Sequence, residues 1–297
     1  MKIIFFFIII LLSIGFYLVL EQKILGLVQF RFGPWKSLYL GFTQFIFDIL
    51  KLVFKEFKIL YMLNSLLLIN LLILIILLFN FILWIIVISK FILNSLDYTN
   101  IVLILILIFK LLILLIIIFL INSIYSYLRL IRIFVQLISY DILIILIIFF
   151  FIYLFKTINF IFFILYQKFV LIIFINLLLC YFWFLRIIIE LIRLPFDFYE
   201  SESELISGFN IEFNSLVFII LFIIEYLDIL LLCYLTIIIF LYLINWWLIF
   251  LYWIFYLILF IRGFIIRIRF DKILLIIWLH IFPITIILIF VLILLIN

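Results

Sequence analysis

Polar positions along this chain are few and fall in bands. Apolar runs at approximately Ile3–Leu20, Leu63–Ile88, Ile101–Ile121, Leu137–Phe155, Phe169–Ile189, Leu216–Phe240, Asn245–Ile261 and Ile273–Ile296 alternate with short segments that hold most of the charge. Runs of this length match the hydrocarbon core of a bilayer when helical, so the pattern predicts about eight transmembrane helices. The sixth and seventh are the least clearly divided, because the 46 residues from Leu216 to Ile261 offer only Asn245 and the adjoining Trp pair as a turn. No internal repeat or low-complexity linker interrupts the series, so residues 1–297 read as a single polytopic membrane domain.

Two segments break the banding in different ways. Between Arg31 and Glu56, Phe45, Phe47, Ile49, Leu50, Leu52, Val53 and Phe57 surround Asp48, Lys51, Lys55 and Glu56. Asp48, Lys51 and Lys55 share one face at helical spacing, which predicts an amphipathic helix lying in the membrane interface within residues 35–58. The other segment, LPFDFYESESELISGFNIEF from Leu194 to Phe213, gathers Asp197, Glu200, Glu202, Glu204 and Glu212.

Composition fixes the class. The chain is 74% hydrophobic and 11% charged, against about a quarter charged in soluble domains. The expectation is an all-α integral membrane protein. The net charge of +5 reports on topology and not on nucleic acid, since the cations are strung along short loops. Fourteen of them, from Lys23 to Lys272, fall on one side; Lys2, Lys90, Lys156 and Lys168 fall on the other, with Lys110 inside a span. The positive-inside rule then places both termini outside and the acidic segment inside. Five of the six glycines also lie on that inner side. The first run lacks a small-residue cleavage site and reads as a retained span. Cys180 and Cys233 sit in apolar runs, which argues against a disulfide framework or metal site. Alanine is absent, and Phe, Ile, Leu, Asn and Tyr abound, a bias that fits an A+T-rich organellar gene.

The acids carry the candidate chemistry. On a helix, Asp197, Glu200 and Glu204 would share a face, and two ionised carboxylates about 6 Å apart repel by roughly 3 kcal/mol at an effective dielectric near 20. Such a cluster shares its protons and shifts them easily. Pro195 and Gly208 bracket it, which suits a re-entrant acidic loop at about residues 190–213. Glu225 lies some 14 Å along the sixth span by helical rise, with Asp228 one turn on, and acids at that depth usually mark a proton or ion path. Glu190 is flanked by Arg186 and Arg193 at ion-pairing spacing, and Asp141 begins the fourth span. Together these acids could form a carboxylate file running from the inner surface into the bilayer. His280 reads as a packed or polar-anchored residue. The residues alone leave open a stand-alone proton-coupled transporter or channel.

ELIRLPFDFYESESELISGFNIEF, from Glu190 to Phe213, resembles the signature loop of the first core membrane subunit family of respiratory complex I, E-x-N-R-x-P-F-D-L-x-E-G-E-S-E-L-V-S-G-F-N-x-E-Y. Four more segments agree in order. EQKILGLVQFRFGP resembles E-R-K-I-L-G-x-x-Q-x-R-x-G-P; GFTQFIFDILKLVFKE resembles G-x-x-Q-P-x-A-D-x-x-K-L-x-x-K-E; RIFVQLISYD resembles R-x-x-x-Q-x-I-S-Y-E; and RGFIIRIRFDKILLIIW resembles R-x-x-x-P-R-x-R-Y-D-Q-L-M-x-x-x-W. The departures are Gln22 for Arg, Trp35 for Asn, Phe45 and Ile266 for Pro, Asp141 for Glu, Ser201 for Gly, and charged Arg186 and Asp228 where the family is uncharged.

The resemblance implies a subunit of NADH:ubiquinone oxidoreductase that roofs the quinone chamber. The first span, the amphipathic helix and the sixth span would frame a lipid-open portal for ubiquinone. Gln22, Arg31, Asp48, Lys51 and Phe209 would line the quinone path. Asp141, Glu190, Asp197, Glu200, Glu202, Glu204, Glu212 and Glu225 would form the proton relay. FMN and iron–sulfur clusters would reside in partner subunits, namely the peripheral-arm quinone-site subunits and neighbouring membrane-arm subunits. The location implied is the mitochondrial inner membrane, with the acidic loop on the matrix side. A membrane anchor of a related hydrogenase-type complex is the alternative within the same resemblance.

Overall fold

The computed structural model describes residues 2–31, 41, 44–54, 63–92, 98–120, 124–159, 163, 167, 176–190, 215–241, 247–265, 268 and 270–296. Within them the chain is helical, with no strand. The helices are α1 (Lys2–Val28), α2 (Gln44–Val53), α3 (Leu63–Ile92), α4 (Thr99–Leu120), α5 (Ile124–Phe155), α6 (Leu177–Glu190), α7 (Ser215–Thr236), α8 (Trp247–Phe264), α9 (Phe270–Leu275) and α10 (Phe282–Ile296). A π turn, Ile237–Leu241, extends α7, and a second, Ile276–Ile281, joins α9 to α10.

Five of these rods are long and apolar enough to cross a membrane: α1, α3, α4, α7 with its π turn, and α9 through α10. Shorter apolar stretches occupy α5, α6 and α8. Each of the eight expected spans overlaps a described helix, and the uncertain sixth and seventh are carried by two helices, α7 and α8. Two helices outrun the apolar runs that predicted them. Helix α1 continues through the polar Glu21–Lys23 segment to Val28, and α5 begins at Ile124, ahead of the expected Leu137. Backbone hydrogen bonding continues past the apolar boundary wherever no breaker intervenes.

Helix α7 is the hub. Of its span 78% is buried, against 22% for α4 and for the α9–α10 rod. It packs against α1, α2, α3 and α8, while α4 packs on α3 and α5. The outward faces of α4 and α10 carry Leu105, Phe109, Phe290 and Leu294, all exposed in the isolated chain, as suits contact with lipid or neighbouring subunits.

Each π turn has a local reason or remedy. In the first, the buried Gln167 amide donates to the carbonyls of Ile238 and Ile239 at 3.1 and 2.5 Å, satisfying groups displaced from regular pairing. The second precedes Pro283, which lacks the N–H needed to continue the ladder. His280 lies in that turn and is exposed in the isolated chain. Cys180 and Cys233 are both buried free thiols.

Candidate functional site

Helices α1, α2 and α7 enclose a cleft of about 490 Å³. Helix α1 contributes one wall from Ile8 to Gln22, which is about 21 Å of helix at 1.5 Å per residue. Helix α2 contributes Gln44, Phe45, Asp48 and Ile49, and α7 contributes Ile219, Phe222 and Ile223. Gln22, Gln44 and Asp48 interrupt an otherwise apolar lining. The volume lies in the range of ligand clefts, which are mostly apolar with a few oriented polar groups. Ile8, Leu11, Leu12 and Ile49 are both wall residues and exposed, so the cleft is open at the surface of the isolated chain.

Helix α2 forms one side through Gln44 and Phe45, which are half-buried, while all of Ile46 to Lys51 is exposed in the isolated chain. Its seat on α1 is Gly15: a Cβ built there would lie 2.4 Å from the Phe45 ring. Only a residue without a side chain lets that ring come so close. The ring also approaches Phe16, at 6.5 Å between centroids.

Behind the cleft wall lies a buried polar cluster. Glu21 on α1 is 6% exposed. Its Oε1 pairs with the Arg262 guanidinium of α8, and its Oε2 accepts a hydrogen bond from the Tyr226 hydroxyl of α7 at 2.7 Å. Tyr226 packs against the cleft residue Phe222 with centroids 4.6 Å apart, and against Tyr17, which in turn meets Phe255. Gly263, next to Arg262, brings α8 close to α1: a Cβ there would come within 2.9 Å of Val28. One carboxylate thus ties three helices together, and a contact chain of Phe222, Tyr226, Glu21 and Arg262 runs from the cleft into the core. Glu21 stood in the quoted EQKILG motif, but partners at least 205 residues away in sequence leave no local signal.

A second ion pair lies at mid-span. Lys110 of α4, read from sequence as a cation stranded inside a span, meets Asp228 of α7. A charge at the centre of a spanning helix costs about 2.5–3.5 kcal/mol on insertion scales, so two opposite ones are retained as a pair. Glu225, one turn earlier on α7, is exposed, whereas Asp228 is half-buried. Arg186 is buried, with its guanidinium 5.8 Å from the Trp183 ring centroid.

The structure brings together two of the five residues expected along the quinone path: Gln22 and Asp48 share the cleft lining. Lys51 is exposed on α2 off that lining, and Arg31 is exposed just past α1. There Phe30 takes a left-handed conformation (φ 55°), and the Arg31 N–H donates to the Gly26 carbonyl at 2.9 Å, which closes the helix end. Phe209, Asp197, Glu200, Glu202, Glu204 and Glu212 lie outside the described residues. Asp141 and Glu190 are placed by backbone only, within α5 and at the end of α6.

Comparison with known proteins accords with this architecture. A family model described as NADH dehydrogenase matches residues 1–293. NADH-ubiquinone oxidoreductase chain 1 of Rhipicephalus sanguineus is 37% identical over 298 aligned positions, covering 95% of this chain and 90% of that protein. The chain 1 proteins of Aedes aegypti and Apis mellifera ligustica are each 30% identical, covering 93% and 91% of this chain and 89% of each relative. On a match over residues 1–293, which reaches from α1 into α10, the chain belongs to the NADH dehydrogenase family.

Proposed function

We propose that this chain, a multi-pass membrane subunit of NADH:ubiquinone oxidoreductase, forms the lipid-side entry to the quinone chamber and links quinone reduction to proton translocation through its carboxylates. The observation that carries the reading is the cleft between α1, α2 and α7: apolar, about 490 Å³, open at the surface of the isolated chain and edged by Gln22, Gln44 and Asp48. Ubiquinone joins a long apolar tail to a small polar ring, and an apolar slot with a few polar groups suits such a molecule.

In this reading Gln22 and Asp48 meet the ring, while Arg31, Lys51 and Phe209 extend the path beyond the cleft. The relay comprises Asp141, Glu190, Asp197, Glu200, Glu202, Glu204, Glu212 and Glu225. Reduction of the quinone changes the local demand for protons, and coupled carboxylates respond by redistributing those they share. The subunit binds no redox cofactor itself; FMN and iron–sulfur clusters belong to the peripheral-arm partners. The site of action is the mitochondrial inner membrane, with the acidic loop toward the matrix.

Ile223→Trp tests the entry role by filling the cleft. NADH oxidation by ubiquinone is expected to fall at least about tenfold, the effect of a lost 1.4 kcal/mol, while NADH oxidation by a water-soluble acceptor is unchanged in the same membranes. Ubiquinone activity at the original level would refute the entry role. Glu204→Gln and Glu225→Gln test the relay through protons moved per electron; an unaltered ratio in both removes those positions from it.

A further inference from the structure

The polar edge of the cleft between α1, α2 and α7 is uneven in what it offers a ligand. Gln44 and Asp48 stand one turn apart on α2, and Gln22 borders the same space from α1. The Gln44 Oε1 is buried and has no hydrogen-bond donor among the described residues. A buried acceptor left in that state is unfavourable, so the site gains from a ligand that brings a donor. Asp48 is exposed in the isolated chain, and its carboxylate only accepts. Gln22 carries an amide that both donates and accepts. Among the described residues that line the cleft there is no lysine, arginine or hydroxyl group. Acceptors therefore outweigh donors along this edge.

The two forms of a quinone carrier differ in the complementary sense. The quinone ring has oxygens that only accept, whereas its hydroquinone, the product of ubiquinone reduction, carries two O–H donors on the same frame. We propose that the cleft discriminates between the redox forms and holds the hydroquinone more tightly, through hydrogen bonds from its hydroxyls to the Asp48 carboxylate and Gln44 Oε1. This rests on the reading of the cleft as the quinone path and adds which form of the carrier it prefers. A hydroxyl bonded to a carboxylate is a charge-assisted contact, stronger than a neutral one. A quinone carbonyl beside the same carboxylate meets only repulsion and turns to the Gln22 amide. The apolar walls take the tail of either form alike, so the preference resides in the ring and works partly by rejecting the form without donors. The consequence is product retention: at a fixed carrier pool, a rising hydroquinone fraction keeps the cleft filled and slows NADH oxidation.

The test uses the intact complex in native membranes, anaerobic and without NADH, and two photoprobes: a ubiquinone with a diazirine in its tail, and the same molecule reduced to the hydroquinone. Each is titrated separately, and labelling of Leu12 and Ile223 is measured per assembled complex. Half-maximal labelling by the hydroquinone is expected at a concentration about tenfold lower, the effect of one hydrogen bond to a charged group. The di-O-methyl ether of the hydroquinone probe keeps the frame, loses both donors and is expected to label like the quinone. Asp48→Asn, whose amide also donates, is expected to equalise the two forms. Gln22→Leu is expected to weaken both and keep their ratio. Equal half-maximal concentrations in the unaltered complex, or a preference that survives Asp48→Asn, overturns the inference. Should Asp48→Asn fail to assemble, the hydroquinone and its ether decide alone: equal labelling by these two overturns it as well. Where both redox forms label equally, the cleft still carries the quinone and only the preference fails; where neither labels these residues, the reading of the cleft as the quinone path fails with it.

Discussion

Arg262→Met is expected to destabilise the subunit by about 3–5 kcal/mol, the usual cost of stranding one member of a buried ion pair. Glu21 is nearly inaccessible, and its two oxygens are divided between Arg262 and Tyr226. Without the guanidinium, the carboxylate faces apolar surroundings with one hydroxyl donor, short of what a buried charge requires. The double variant Glu21→Gln/Arg262→Met removes both charges together and is expected to recover most of the loss, since no uncompensated ion remains. Tyr226→Phe removes a single hydrogen bond to a charged group, worth about 1.5–3 kcal/mol, and is expected to be milder. The measurement is the amount of assembled complex and its thermal inactivation in membranes. Equal loss in the single and double variants would show that packing, and not charge balance, holds α1, α7 and α8 together.

Gly15→Ala is expected to raise the quinone concentration needed for half-maximal activity about tenfold, although alanine is the better helix former by about 1 kcal/mol. The reason is the Phe45 ring, whose edge lies 2.4 Å from where the new methyl would stand. Either the ring swings into the cleft or α2 lifts from α1, and both reshape the wall that Gln44, Asp48 and Ile49 share. Gly15→Ala/Phe45→Leu removes the clash and is expected to restore most of the affinity. Electron transfer to a water-soluble acceptor should be the same in all three proteins. A Gly15→Ala complex with unchanged quinone affinity would contradict a role for this contact in shaping the cleft.

Much of the architecture could be read from the sequence, because membrane helices write themselves in hydropathy: 18 or more apolar residues have few alternatives to spanning. Boundaries were harder. Nothing in Glu21–Val28 or Ile124–Gln136 forbids helix, so α1 and α5 extend beyond the apolar limits that announced them. The amphipathic segment was legible from the spacing of Asp48 and Lys51, and its place beside α1 and α7 was expected from the resemblance. The site was only partly legible. Glu21 was visible as a motif residue, yet its importance comes from Arg262 and Tyr226, which arrive from distant helices. Lys110 looked anomalous and Asp228 looked unmatched; packing of α4 and α7 against α3 resolves both at once. Phe45, in place of the proline of the resembling pattern, has its explanation in Gly15, thirty positions earlier. Pairings across helices depend on rotation and tilt, which hydropathy does not encode.

Photolabelling by an azido-ubiquinone carrying its natural tail tests the central claim most directly. In native membranes, adducts are expected on the facing residues of α1, α2 and α7, among them Leu12, Leu18, Phe45 and Ile223, and excess unmodified ubiquinone should suppress them. Competable labelling confined to other surfaces, with these four residues unmodified, would contradict entry of the quinone through this cleft.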